Sequence, residues 1–382
     1  MSSRRAVAVV ALALAAISPG LAAANGLKHP LRMNEIQVIG THNSYHRELS
    51  KAEVAGFNAI FGGAPVYDGL LAYSHASLPN QLARQRARGL ELDLYPDPAG
   101  GLYANPLLRQ RLGFGPLPDP EWSQPGIKVI HTEDLDYNST CIRFVSCLSL
   151  VRTWSRANPR HVPLLILLEL KATDPIAGAL GGVQVPPWDG GALDTLDAAI
   201  RSVFSPSEML TPDDVRRRGL SLEQSVLRRG WPSLRSARGR VMFLMDNDPG
   251  PISAAYTAGR PSLQGRVLFT NSRPGRPDAA FIKRNEPTGA NLAQIQALVR
   301  AGYVVRTRSD EPLATILSGD MTRLRDALAS GAQVVSTDFP EVGMSARYDR
   351  DYVAALPEGS PARCNPVIRP PGCRSRRLER AR

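Results

Sequence analysis

Eight short apolar runs rich in β-branched residues punctuate the chain, at 36–40, 89–94, 127–131, 163–170, 241–246, 267–271, 303–307 and 333–337. In several of them, such as Leu164-Leu165-Ile166-Leu167-Leu168 and Val241-Met242-Phe243-Leu244-Met245, successive positions are apolar instead of alternating with polar ones. A strand that is apolar on both faces belongs in a parallel sheet covered on both sides. Between the runs the period changes. Leu193, Leu196, Ile200 and Val203–Phe204 recur at helical spacing, as do Leu292, Ile295, Leu298 and Val299; Leu324 and Leu328 mark a shorter helix that Gly331 ends. Strand–helix alternation repeated about eight times predicts an α/β fold, a (β/α)8 barrel, with a doubly wound sheet as second choice.

Long Gly- and Pro-rich insertions interrupt the rhythm at 44–88, 95–126 and 172–240. Loops of that length in a compact domain usually form functional walls or lids. At the N-terminus, Arg4 and Arg5 precede an apolar stretch from Ala6 to Ile17 and the small-residue run Ala22-Ala23-Ala24, the pattern of a cleaved secretory signal. The expected organisation is a signal peptide over 1–24, a barrel over 25–355 and a basic extension over 356–382, in a monomer that is secreted or periplasmic. Cys141 and Cys147 lie close together, as do Cys364 and Cys373. In an oxidising compartment, pairing of neighbours is the simplest connectivity, and the spacing does not suit structural zinc.

The formal net charge is +11, with arginines crowded at 216–218, 228–240 and 363–382. Such clusters form solvated faces or attract anionic lipid surfaces. Nucleic acid is disfavoured as a partner, because aromatic residues do not interleave with the basic runs.

The strand-like runs also deliver titratable residues where they end. Ile36-Gln37-Val38-Ile39-Gly40 leads into Thr41-His42-Asn43-Ser44-Tyr45; the second run holds Glu91 and Asp93, the third ends in His131 and the fourth holds Glu169. In a parallel barrel the strand exits meet at one mouth. Two histidines can divide acid and base roles near neutral pH. Glu91 and Asp93 project to the same side of a strand, at a high desolvation cost unless a cation neutralises them. With Glu169 and the Asn43 carbonyl they form an oxygen donor set for Ca2+, or for Mg2+ with more waters retained. The alternative is salt bridging to Lys171, Arg306 or Arg308.

These residues, in this order, resemble the catalytic half of Ca2+-dependent phosphoinositide-specific phospholipase C, and the phrase from Asn34 to Tyr45 resembles its bacterial secreted branch. The resemblance runs from about Asn34 to Glu341 and implies a TIM-type barrel with long loop insertions. It implies cleavage of a phospholipid phosphodiester, phosphatidylinositol first, to diacylglycerol and inositol phosphate by Ca2+-assisted histidine acid–base chemistry. It places His42 at the phosphate and His131 near the leaving oxygen, makes Asn43, Glu91, Asp93 and Glu169 the metal ligands, and offers Glu169 also as the base. Lys171, Arg306 and Arg308 are the candidate phosphate or head-group contacts, with Lys283 and Arg284 beside them.

Two rival readings remain at this stage. Val334-Val335-Ser336-Thr337-Asp338-Phe339-Pro340 resembles the last strand of glycerophosphodiester phosphodiesterases, although His-Asn stands here where His-Arg is expected. A non-catalytic lipid- or carbohydrate-binding barrel would instead lack one of the acid–base or metal residues.

Overall fold

The computed structural model describes residues 30–379. The signal-like segment therefore lies outside the described residues. Eight parallel strands form the frame: β1 (Ile36–Thr41), β2 (Gly89–Tyr95), β3 (Leu164–Leu170), β4 (Val241–Met245), β5 (Leu268–Thr270), β6 (Phe281–Lys283), β7 (Val304–Arg308) and β8 (Val334–Thr337). β1 pairs with both β2 and β8, and parallel ladders link β2 to β3, β3 to β4, β4 to β5, β6 to β7 and β7 to β8. Between β5 and β6 the contact is a single bridge, Asn271 to Phe281, so the ring is nearly closed. The expected barrel is present.

Its membership differs from the sequence reading at two places. The run at 127–131 is not a barrel strand: Lys128–Val129 lies antiparallel on the end of β2, with Val129 opposite Leu94 and Lys128 opposite Tyr95. The insertion after β2 doubles back at the mouth, and Lys128 is fixed there by a buried pair with Asp97 at 2.8 Å. The ring is completed by Phe281–Lys283, too short to announce itself through pattern.

Helices fill the outer layer where the apolar stripes place them, including Gly190–Val203, Ala290–Ala301 and Thr322–Ala329. Leu193, Leu196 and Ile200 are fully buried against the barrel, and Gly331 follows the last helix at φ +73°. Between β1 and β2 the backbones nearly touch: a Cβ at Gly89 would lie 2.9 Å from the Gly40 Cα. Only glycine permits that approach.

The segment beyond 355 is not an appendage. Arg363–Cys364 pairs antiparallel with Ile36–Gln37 at the start of β1, Leu378 is buried, and Glu379 caps both Arg88 and the Val162 amide. The tail thus closes the base of the barrel, the end opposite the strand exits. Cys141–Cys147 and Cys364–Cys373 are both disulfides, as neighbour pairing predicted.

Candidate active site

β1 ends in a locked turn. Asn43 adopts φ +44°, a left-handed conformation that asparagine tolerates better than most residues. The Ser44 hydroxyl receives the Glu91 amide at 2.8 Å while the Ser44 amide reaches the Glu91 carbonyl at 3.0 Å. Thr41 and Gln81 complete the lock: the Thr41 hydroxyl donates to Gln81 Oε1 at 2.7 Å. The turn thereby registers the first strand exit against the second.

His42 rests on that turn. Its Nδ1 lies 3.0 and 3.2 Å from the two oxygens of Asp338, which follows β8, and its Nε2 lies 3.6 Å from Glu91 Oε1. Since a carboxylate only accepts, Nδ1 carries the proton and Nε2 keeps its lone pair. Burial, reinforced by the Arg308 guanidinium, pushes the imidazole down to about 3, so the ring is neutral at working pH. Asp338 is fully buried; burial opposes its ionisation, yet the hydrogen bonds of His42 and His75 and the charge of Arg308 hold it well below the usual carboxylate range. His75 Nε2 donates to the His42 carbonyl at 2.8 Å and so braces the same dyad.

The carboxylates are brought together by register. Asp93 is the direct cross-strand partner of Glu169, and Glu91 sits two positions earlier on β2. Oxygens of Glu91, Asp93 and Glu169 all lie within 4.8 Å of one another. Lys171 Nζ stands 3.2 Å from Asp93 and 3.4 Å from Glu169, while Arg306 pairs with Glu91. The salt-bridge alternative is therefore present in part, but it does not complete the cluster: Asp93 is fully buried, its Oδ2 meets only the Lys171 ammonium and its Oδ1 has no hydrogen-bond partner. Burial, with repulsion from Glu169 and Glu91 outweighing Lys171, raises the Asp93 carboxyl well above its ordinary value. Burial likewise lifts Glu91 to about 7 against the pull of Arg306. Three carboxylates facing two cations, with one orphaned buried oxygen, fit a hard divalent cation. Asn43 stands on the β1 turn, where its Nδ2 donates to Tyr73 Oη at 3.2 Å and its carbonyl oxygen is left for other partners.

His131 is placed differently from the expectation of two equivalent strand ends. It follows the antiparallel Lys128–Val129 pair, is 22% exposed, and is held through Nδ1 on Asp136 Oδ2 at 2.8 Å. His46 Nε2 meets the same oxygen at 2.8 Å from the buried side, and its Nδ1 faces the Tyr73 carbonyl at 2.9 Å. Both His46 nitrogens thus face acceptors, so this buried ring carries both protons. Asp136 outweighs burial and raises its pKa. Asp136 is driven far below the usual range by His46 and His131, against its own burial.

Of the expected contacts, Lys171, Arg306 and Arg308 all reach the mouth but none stands free. Arg308 lies 3.5 Å from Asp338 and 3.6 Å from Glu311. Lys283 pairs with Asp246 at 2.8 Å, and Arg284 donates to the Lys283 carbonyl. The sequence reading passed over Asp338, His75, His46, Asp136 and Asp246 as site residues. Asp338 and Asp246 follow β8 and β4 directly, so the strand-exit rule applied to every run would have found them. His46, His75 and Asp136 come from insertions and carry no periodic signal.

A family model described as Ca2+-dependent phosphoinositide phospholipase C matches residues 31–366. Among solved structures, the chain is similar to a calcium-dependent phosphoinositol-specific phospholipase C from a Gram-negative Pseudomonas in complex with myoinositol, at 13% identity and TM-score 0.49, covering 88% of this chain and 96% of that one. It is also similar to a Ca2+-dependent phosphatidylinositol-specific phospholipase C from Streptomyces antibioticus, at 18% identity and TM-score 0.47, over 81% and 95% of the two chains. A glycerophosphoryl diester phosphodiesterase from Parabacteroides distasonis follows at 12% identity and TM-score 0.28, over 82% and 86%. No curated protein matches the chain.

Proposed function

The chain belongs to the Ca2+-dependent phosphoinositide phospholipase C family, whose members are phosphodiester hydrolases, and on that premise we propose that it cleaves phosphatidylinositol to diacylglycerol and an inositol phosphate. The observation that carries this reading is the buried, under-neutralised carboxylate cluster beside a neutral histidine with one free ring nitrogen. Asn43, Glu91, Asp93 and Glu169 would hold the Ca2+. Bound there, the cation would lower the pKa of the inositol 2-hydroxyl and neutralise charge on the phosphate.

His42 is the base in this reading. Asp338 holds the Nδ1 proton, so Nε2 can take the proton of the 2-hydroxyl as its oxygen attacks phosphorus. That moves the base away from Glu169, which remains a ligand, and gives His42 more than phosphate stabilisation. His131, oriented by Asp136, gives a proton to the departing diacylglycerol oxygen from its Nε2. Lys171, Arg306 and Arg308 place positive charge around the phosphate while sharing the carboxylates that already hold them.

The bilayer contact in this reading falls to the mouth. Phe114, Ile176 and Val342, exposed by 44%, 41% and 75%, stand in segments that follow β2, β3 and β8. The far placement of the C-terminal arginines argues against their holding the substrate membrane. Secretion or a periplasmic site is supported by the two disulfides. No helix among the described residues is long and apolar enough to cross a membrane. Purified protein assayed on phosphatidylinositol and on glycerophosphodiesters, with Ca2+ and with chelator, tests the reading. Ca2+-dependent release of diacylglycerol supports it, and preference for a deacylated glycerophosphodiester would replace it with the rival enzyme.

A further inference from the structure

A group of exposed arginines gathers on the end of the barrel opposite the strand exits. Arg160, Arg228, Arg229, Arg235, Arg376 and Arg377 are all exposed, and all lie at the base, in segments that lead into the strands or in the tail that closes them. The segments are stitched into one face. The Arg238 guanidinium donates to the carbonyls of Arg160 (2.7 Å) and Leu378, and the Arg32 guanidinium to those of Arg229 and Trp231 (3.2 Å). Among the described residues, none of the six exposed arginines has a carboxylate oxygen within 4.0 Å. The acids nearby are engaged elsewhere: Glu379 with Arg88, Asp214 with Arg240, and Glu208 with Arg152 and Arg156.

A surface of unpaired arginines attracts polyanions, and the guanidinium fork matches carboxylate and sulfate oxygens in paired hydrogen bonds. Single-stranded nucleic acid and a bilayer fit poorly. The one aromatic residue in the 228–240 segment, Trp231, is buried, so stacking on nucleobases has no platform there. A bilayer taken by this face would leave the mouth pointing away from its lipid, an objection that rests on the mouth acting on a membrane substrate. We propose that the base is a docking face for an acidic polysaccharide, which retains the protein while the mouth stays free.

The test uses the full chain, with heparin as the probe acidic glycan and duplex DNA and phosphatidylserine vesicles at matched charge as the other arms. Binding is read at low salt without any turnover, so failure of the lipase reading leaves it interpretable. The combined replacements Arg228→Gln, Arg229→Gln, Arg235→Gln, Arg376→Gln and Arg377→Gln should weaken heparin binding by at least about tenfold and flatten its salt dependence. The mouth-side replacements Arg47→Gln, Arg273→Gln and Arg276→Gln should leave heparin binding unchanged. Should the combined variant fold poorly, the pairs Arg228→Gln/Arg229→Gln and Arg376→Gln/Arg377→Gln should each remove part of the affinity. Saturating heparin should not inhibit hydrolysis of a soluble phosphodiester. Equal heparin binding by base and mouth variants, inhibition by heparin, or tighter arginine-dependent binding to DNA or vesicles would each overturn the proposal.

Discussion

His42 and His131 each lean on a buried aspartate, but the two dyads are built in opposite ways. His42 sits at a barrel strand exit, neutral, with Asp338 shared among His42, His75 and Arg308. His131 sits in an insertion, more open to solvent, on an aspartate whose charge is already matched by the buried His46. In the first dyad burial, reinforced by Arg308, sets the reactivity of the ring. In the second, the buried pair mostly holds the ring in place. Position on the frame and position on a loop thus yield different kinds of histidine from the same two residue types.

The sharpest way to break this comparison is to remove each ring. His42→Ala should lower turnover by about 10⁴-fold and His131→Ala by about 10²-fold, the ends of the range for a positioned acid or base, with unfolding midpoints close to wild type. Equal losses would erase the distinction. The supporting carboxylates should then separate activity from stability. Asp338→Asn should cost up to about 10⁴-fold in turnover, because the amide can no longer hold the Nδ1 proton in the same way. Asp136→Asn should instead destabilise the fold by about 3–5 kcal/mol, since it leaves His46 as an unpaired buried cation. Turnover assays together with denaturant unfolding of the two variants check both.

The carboxylate cluster predicts a pH effect with a definite sign. Glu91 has a folded-state pKa of about 7 against an ordinary value of 4.5, so between these values the folded chain keeps a proton that the unfolded chain has released. Stability of the metal-free protein should therefore fall as pH rises through that window. Added Ca2+ should remove the fall, because it favours the ionised carboxylates. Thermal unfolding between pH 4.5 and 8, with chelator and with Ca2+, measures it; a flat metal-free profile would contradict the cluster's electrostatics.

How much of this was legible in the sequence follows the same division. Residues fixed by the frame were readable: His42, Glu91, Asp93 and Glu169 stand in or just beyond apolar runs, and strand register does the rest. His131 was singled out on a strand that is not in the barrel, because Lys128–Val129 has the composition of a barrel strand but pairs antiparallel. The partners His46, His75 and Asp136 come from loops whose approach is set by packing of Tyr67, Tyr73 and their neighbours, which no local pattern encodes. The tail's arginines looked like a solvated end. Pairing of only two residues, Arg363 and Cys364, together with one buried leucine, fastens that segment to the base.

Smaller effects sharpen the contrast between the two ends of the barrel. Val342→Ser at the mouth should reduce vesicle binding by a few-fold, in keeping with the loss of one partly buried apolar side chain, and leave a soluble substrate unaffected. Sedimentation with phosphatidylinositol vesicles measures it.

The central claim, a Ca2+-dependent phosphodiester cleavage that draws on the Asp93 cluster, is tested most directly by one titration. Diacylglycerol release from phosphatidylinositol is followed as Ca2+ is added back to chelator-treated wild-type protein and the Asp93→Asn variant. The account predicts no release without Ca2+, saturable recovery in the wild type, and recovery shifted to much higher Ca2+ in the variant. Full activity in excess chelator, or identical titrations for the two proteins, would contradict it.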